Sequence, residues 1–529
     1  MAQIPVRMNT QGMAFPLLSQ QSGRTVVNGQ GDLTYVPGVT ADGDVPEDRG
    51  IPGVMYAHNV MPSSYGWQGI GYDVEYVEPG GDPGQFLQIR LVQGATISGN
   101  RPQASSLRTY VARVVYGGNS KLWYINSSNN WAEISNTPTF ASNAEISTAY
   151  INGYTYICVP NTGIYVLNVS TGQLISRDFS GLDESTVEGI FASAGYALVW
   201  SSRRVLWSSS VDVEDFVPSD ISGAGGGGVQ EAEGAIVFCA PTALGFFVFT
   251  DSNIVSAVYT ANEDFPFEFK ETPSGGGVYS QKLVSRNTAA GYHYCFTTNG
   301  IQRISHTGAN TILTNVSDFI GAGLFEDFNV QTLQLEQRAV QGEMPRSLSV
   351  VANRYIIVSY AETPGALEFS HAIIVDSIQN RMGKVKIPHT EAVEFRSTAA
   401  GTSLDSRGTI AFLGANGRVS TIKFDLYCQD TDAVLILGKI QFVHQRLLQL
   451  QEIELENVCP AGNFSVVDYP SLDGKTFEPI VQGFNNPEDE GKILKRVFFD
   501  NVAKSHTLMF RGSFELVSIL VWFNVHGRV

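Results

Sequence analysis

GYTYICVPNTGIYVLNVS, residues 153–170, is the stretch on which the fold turns. Two short runs rich in aromatic and β-branched residues flank a Pro-Asn-Thr-Gly turn, a pattern that predicts two antiparallel strands. The unit recurs as GYALVWSSRRVLWSS (195–209), GFFVFTDSNIVSAVY (245–259), GYHYCFTTNGIQRISH (291–306), and RYIIVSY (354–360) with a later AIIVDS (372–377). Its opening aromatics are Tyr154, Tyr196, Phe246, Tyr292 and Tyr355, spaced by 42, 50, 46 and 63 residues. Repeats of roughly 40 to 50 residues with three or four strands each predict β-propeller blades. A single small antiparallel sheet leaves both faces open to water, so blades stack around an axis and cover one another. Residues 110–135 read as an earlier blade and 408–425 as a later one, which makes about six or seven. A plain series of β-sandwiches is the alternative. The 63-residue interval contains 318–340, whose spacing allows a short helix between blades.

Beyond about residue 430 the pattern changes to alternating strands such as VLILGKIQFV, NFSVVDYPSLDGKTFEPIV and LVSILVWFNV, which predict a separate β-sandwich over 430–529. The piece LLQLQEIELEN also fits a helix in part, because Leu447, Leu450 and Glu454 share a helical face. Residues 1–104 are rich in Pro and Gly with few sustained apolar runs, and read as an irregular N-terminal arm. The expectation is thus an all-β chain: arm 1–104, propeller 105–429, sandwich 430–529.

Composition points the same way. Of the 529 residues only 16% are charged, against 43% apolar and 11% aromatic, and the 53 Gly supply turns. The balance of 34 Lys+Arg to 51 Asp+Glu leaves a formal charge of −17. That excludes a general counterion-release DNA binder, which needs clustered cations; the densest basic pairs are Arg203-Arg204 and Lys495-Arg496. Five cysteines, odd in number and far apart, read as reduced thiols. The start MAQIPVRMNTQGMAF has no apolar core of a signal peptide, and Gly234–Thr250 is split by Pro241 into a hairpin, so no membrane span is expected.

Sites of chemistry are scarce. Gly223, Gly225 and Gly228 satisfy G-x-G-x-x-G formally, but no strand–turn–helix context surrounds them. Gly474-Lys475-Thr476 lacks the first glycine of a phosphate loop, since Tyr469 stands there. The acidic run Asp42, Asp44, Glu47 and Asp48 lacks the glycine and final glutamate of a calcium loop. The eight histidines show no metal spacing. Carboxylate groups such as Glu231/Glu233, Glu263/Asp264 and Asp212/Glu214/Asp215 could in principle form a glycosidase pair, but in a chain with 51 acids most are solvated loop charge. No catalytic residue, metal or cofactor is expected.

The segment RRVLWSSSVDVEDFVPSD (203–220) resembles the tail nozzle, or packaged-DNA stabilisation, proteins of short-tailed bacteriophages. So do GFFVFTDSNIVSAVY with its following PFEF and GGG, GYHYCFTTNGIQRIS leading into NVSDFI, and the late QRLLQLQEIELE, DGKTF and LKRVFF; the likeness spans roughly 190–529. It implies a structural virion protein, not an enzyme: a propeller-bearing subunit in a ring, six-fold in that family, assembled in the host cytoplasm and carried in the virion tail. Its partners would be further copies of itself, a portal-proximal adaptor and tail fibre or spike proteins, with double-stranded DNA retained in the channel and passing through on ejection. An acidic lumen suits that task, because each cation offered to the phosphates would hold the DNA back. The glycine runs Gly225, Gly226, Gly227, Gly228 and Gly275, Gly276, Gly277, with Glu231 and Glu233 beside the first, are the candidate channel or gate loops. Ordinary surface loops are the alternative for them. A receptor- or glycan-binding tail protein on the same scaffold is the second reading of function, and a glycosidase the third.

Overall fold

The computed structural model describes residues 2–9, 24–27, 33–36, 54–63, 67–76, 79, 83–98, 101–262, 265–286, 291–313, 316, 324–329, 334–339, 344–378, 381–395, 409–422, 433–437, 440–442, 447–457, 464–472, 479–483 and 494–526. Within 153–170, strands Tyr154–Val159 and Gly163–Asn168 pair antiparallel across the predicted turn. Ser147–Ile151 flanks them on one side and Gln173–Arg177 on the other, so the decisive stretch is the middle of a four-stranded blade. All six residues of Tyr154–Val159 are buried, and the same holds for Gly245–Thr250 and Tyr355–Tyr360. A strand covered on both faces has no polar side, which is why these runs are continuously apolar and not alternating.

Among the described residues seven such sheets follow one another along the chain. Blade 1 is Gln85–Ser98, Arg101–Tyr116, Asn119–Ile125 and Trp131–Glu133; blade 2 holds the strands just described. Blade 3 is Gly189–Ser193, Tyr196–Ser201, Arg204–Trp207 and Gly225–Gly228. Blade 4 is Ile236–Thr242, Gly245–Thr250, Ile254–Tyr259 and Phe267–Glu271. In blade 5 the inner strand is reduced to a 3-10 turn, Gln281–Leu283, and one bridge from Val284 to Cys295, ahead of Tyr292–Thr297, Gly300–Ser305 and Gly308–Thr311. Blade 6 runs Arg346–Val351, Tyr355–Tyr360, Phe369–Asp376 and Arg381–His389. Blade 7 is Glu391–Phe395, Thr409–Leu413 and Val419–Ile422, completed by Tyr72–Tyr76 from the other end of the chain.

The innermost strands touch in order around the axis, and Glu391–Phe395 returns to Gln85–Ser98, so the ring is closed. Between blades 4 and 5 the link is His293, whose Nε2 lies 2.8 Å from the Pro241 carbonyl. Four of the interblade layers have cores of their own. Val92, Leu122 and Ile157 fill the gap between blades 1 and 2, and Tyr156, Phe179 and Val199 that between 2 and 3. Ile357, Ile374 and Phe412 join blades 6 and 7, while Phe86, Tyr110, Trp131 and Phe395 join 7 to 1. At that last seam the Tyr110 and Phe395 rings stack at 4.7 Å and Trp131 Nε1 donates to the Gly417 carbonyl at 2.7 Å.

The sandwich is a two-sheet structure as expected, but it is not made from 430–529 alone. One sheet holds Ala2–Asn9, Glu515–Val525, Leu448–Asn457 and Leu494–Ala503. The other centres on Ser505–Gly512, between Phe464–Ser471 and Val434–Leu437, and takes in Val54–His58, Arg24–Val27 and Leu33–Val36. Val60–Pro62 and Trp67–Gly69 then link blade 6 to the first sheet, giving ten strands in one hydrogen-bonded array. A single apolar cluster accordingly runs from blades 3–6 into the sandwich.

Three expectations are corrected. The described residues of 1–104 are no irregular arm: their strands complete the sandwich and blade 7, and the 104/105 boundary cuts the hairpin of blade 1. The strands Ala2–Asn9, Val54–His58 and Tyr72–Tyr76 find partners hundreds of residues away, so no local pattern announces the pairing. Within 318–340 the described residues form a hairpin, Leu324–Asn329 with Gln334–Ala339, and not the expected short helix; LFEDFN and QLEQRA also fit a period of two, and cross-strand pairing wins there. Leu448–Asn457 is strand throughout, paired on both edges, so the shared helical face of Leu447, Leu450 and Glu454 is not used. The acidic run 42–48, Glu263 and Asp264, Gly474 to Thr476, Cys428 and Cys459 lie outside the described residues.

Candidate functional site

The nine residues singled out from the sequence fall on the outer parts of blades 3 to 5. Gly225–Gly228 is not a loop but the outermost strand of blade 3, in register with Trp207 to Arg204. Of the four glycines only Gly226 is required by its surroundings: a Cβ on it would sit 2.4 Å from the Val205 carbonyl oxygen, at φ +126°. Glu231 and Glu233 belong to the link into blade 4. Asn253 pins that link, donating Nδ2–H to the Glu231 carbonyl at 2.9 Å and accepting from the Glu233 N–H at 3.2 Å. Gly275, Gly276 and Gly277 are packed between blades 4 and 5, where a Cβ on Gly277 would meet the Asp251 carbonyl oxygen at 2.0 Å. The expectation of open loops at both glycine runs is therefore corrected: strand pairing absorbs one and interblade packing the other.

The carboxylates of 212–215 are engaged in structure. Glu214 accepts from Arg177 Nε at 2.8 Å and Nη2 at 2.6 Å, and from the Tyr156 hydroxyl at 2.9 Å. Asp215 accepts from Ser180 Oγ and Asp212 from the Glu214 N–H. Cys158, Cys239 and Cys295 are free and buried, with burial raising each thiol above its ordinary range. Among the described residues no cluster of three potential metal ligands occurs.

The pocket that the fold does build lies on the propeller axis. A cavity of about 690 Å³ is lined by the inner elements of all seven blades, from Ile89–Leu91 and Ser147–Tyr150 round to Glu391–Glu394. Burial falls along the lining strands towards their C-terminal ends: Ser147 is buried and Tyr150 exposed, Ile190 buried and Ala194 exposed, Glu391 buried and Glu394 half-buried. The buried end carries the charge. Arg90 Nη1 bonds Glu391 Oε1 at 2.6 Å, both side chains being under a tenth exposed, and the Ile89 N–H donates to Glu391 Oε2 at 2.6 Å. Lys282 Nζ donates to the Leu87 carbonyl at 3.2 Å and lies 5.9 Å from the Phe369 ring centroid. Arg286 Nη2 reaches Gln281 Oε1 at 3.1 Å, and its guanidinium sits 5.2 Å from the Phe238 centroid. Arg113 Nη1 is held by the Ser142 carbonyl at 2.5 Å.

These groups feel one another. Burial lowers Lys282, with Glu145 and Glu391 opposing it, and burial with Arg90 pushes Arg286 down to about 9. Arg286 keeps its charge at neutral pH, so its depression is a standing cost of holding a cation out of water. Glu391 ends below the usual carboxylate range, because Arg90, Arg286 and Lys282 together outweigh its desolvation. Sequence reasoning missed the site because its groups come from distant inner strands: Arg90 and Glu391 are 301 residues apart.

No family model matches the chain, and no curated protein matches it. Among solved structures it is similar to the WD40 β-propeller domain of Doa1, with 9% identity over 67% of this chain and 98% of that one at a TM-score of 0.35. It is similar in the same degree to YCF48 bound to D1 peptide, with 11% identity over 69% and 100% at a TM-score of 0.35. PorZ of Porphyromonas gingivalis, a component of its type-IX secretion system, matches over 94% of this chain and 71% of its own with 10% identity, again at 0.35.

Proposed function

We propose that this chain is the tail nozzle subunit of a short-tailed bacteriophage: a structural virion protein forming a ring, six-fold by the resemblance, around the channel that retains packaged DNA and passes it on ejection. The observation that carries the reading is the order of nozzle-like motifs over 190–529; those among the described residues fall on blades 3 to 5 and on strands of the sandwich. The charge of −17 supports it, since an acidic lumen lets a polyanion slide. The propeller's own axis is not the conduit in this reading: about 690 Å³ is the size of a small-molecule pocket. DNA passes through the hole between subunits. Large apolar side chains left in water on blade 4, Leu244 at 59%, Tyr259 at 40% and Phe265 at 70% exposed, supply material for subunit contacts.

Electron microscopy of the purified chain, with its mass from light scattering, tests the reading. The expected result is a closed ring, formed alone or on the adaptor, with a pore that admits duplex DNA. A trimer that binds glycan and never closes a ring overturns it in favour of a receptor- or glycan-binding tail protein, the reading that a ligand-sized axial pocket also suits.

A further inference from the structure

Leu494–Ala503 is a ten-residue strand at the end of its sheet: among the described residues it pairs with Leu448–Asn457 along one edge and with no strand along the other. Its side chains alternate. Arg496, Phe498, Asp500 and Val502 are exposed, whereas Val497 and Phe499 are buried in the core cluster. Phe498, 66% exposed, and Val502, 43% exposed, thus leave apolar surface beside a row of open backbone donors and acceptors, and an edge of that kind is a template for another strand. The sequence about Phe498 is also complementary to its own reverse. Arg-Val-Phe-Phe-Asp, 496–500, carries a cation at one end and an anion at the other, with apolar residues between. Laid antiparallel against itself with Phe498 opposite Phe498, it sets Arg496 opposite Asp500 and Val497 opposite Phe499, each pair occurring twice.

We propose that this edge pairs with the same edge of a second copy of the chain, antiparallel and in that register, so that two sandwich sheets become one across a two-fold axis at Phe498. Directly opposed side chains in an antiparallel pair stand about 5 Å apart on one face, close enough for the aromatic pair and both ion pairs. Charge fixes the register. A slip of two residues sets Arg496 against Val502 or Phe498 and loses both ion pairs, and a slip of four opposes Arg496 to Arg496 or Asp500 to Asp500; a slip of one turns exposed side chains against buried ones. Arg496 lies 3.4 Å from Glu452 and 3.0 Å from Glu454 and is still 57% exposed, while Asp500 accepts from Gln449 Nε2, so neighbours within the chain already hold both ends in place. Those glutamates stand one strand further in, about 10 Å from the incoming strand, where salt screens their repulsion. The contact is isologous and closes at two copies, so it builds no ring by itself. The ring of the nozzle reading needs a different surface, and the two proposals stand or fall separately.

Analytical ultracentrifugation of the full chain over a concentration series tests the pairing, and cysteine cross-linking tests its register. A monomer–dimer equilibrium is expected. Arg496→Asp and Asp500→Arg each weaken the dimer about tenfold or more by opposing like charges, and the two together restore it, because the exchange remakes both ion pairs. Both positions are exposed, so these variants keep the fold. Phe498→Cys forms a disulfide between copies on mild oxidation, with the parent chain as control for its own thiols. Val502→Cys, about 26 Å from its mate in this register, does not. A chain that stays monomeric at every concentration overturns the proposal, as does a double variant no better than the single ones, or Val502→Cys cross-linking as fast as Phe498→Cys. A ring built from chains that never cross-link at Phe498 overturns this pairing and leaves the nozzle reading in place; a cross-linked dimer that closes no ring does the reverse.

Discussion

Gly277 and Gly227 stand in runs of the same composition and have opposite surroundings. A methyl on Gly277 meets the Asp251 carbonyl oxygen at 2.0 Å, whereas one on Gly227 meets nothing within 4 Å. Gly277→Ala is expected to lower unfolding stability by about 1–3 kcal/mol or more by overpacking. Gly227→Ala stays within about 0.5 kcal/mol. Urea denaturation of the two variants checks the contrast, and equal losses refute the packing account. His506 makes a sharper demand. Its Nε2 lies 3.0 Å from the Leu448 carbonyl oxygen and its Nδ1 2.9 Å from Asp468 Oδ2. Both side chains are fully buried. Removing one partner strands the other, so His506→Ala is expected to cost about 3–5 kcal/mol in the same measurement.

At the scale of elements, two strands decide whether the propeller closes. Tyr72–Tyr76 supplies the fourth strand of blade 7, and Gln85–Ser98 is the inner strand of blade 1. A chain cut to 105–429 lacks both, leaving the seam around Tyr110, Trp131 and Phe395 without Phe86 and Ile89. It is expected to aggregate and to melt without a cooperative transition by circular dichroism. A monomeric, cooperatively melting fragment contradicts this closure. Ala2–Asn9 plays the like part for the sandwich, lying along Glu515–Val525 at the edge of its sheet.

For the whole molecule, buried histidines set the response to acid. Burial pushes His389 down to about 4, against the opposing bond to the Ile387 carbonyl, and burial with Lys384 and Lys386 pushes His371 to about 3. Both are neutral in the native state and charge near 6.5 when the chain unfolds, so unfolding takes up protons below that pH. Stability is expected to be level just above pH 6.5 and to fall as pH drops from about 6.5 towards 4. His389→Gln flattens part of that slope, read as unfolding midpoints across the pH range; an unchanged slope removes His389 from the account.

Strand runs, turns and the repeat of aromatic openings are local, and so the all-β propeller was legible in residues such as Tyr154, Tyr196 and Phe246, each at or beside the start of a blade's second strand. The 63-residue spacing was legible too, but not its content, because LFEDFN and QLEQRA fit both periods until paired. What only the tertiary structure decided is everything made by partners far apart in the chain. The capture of strands such as Ala2–Asn9, Val54–His58 and Tyr72–Tyr76 by the sandwich and blade 7 is one such outcome. The fate of the glycine runs is another, set by neighbours such as Val205 and Asp251. The axial cluster is the clearest: Arg90, Lys282, Arg286 and Glu391 carry no shared motif and become a site because closing a ring of seven sheets brings their inner elements to one axis.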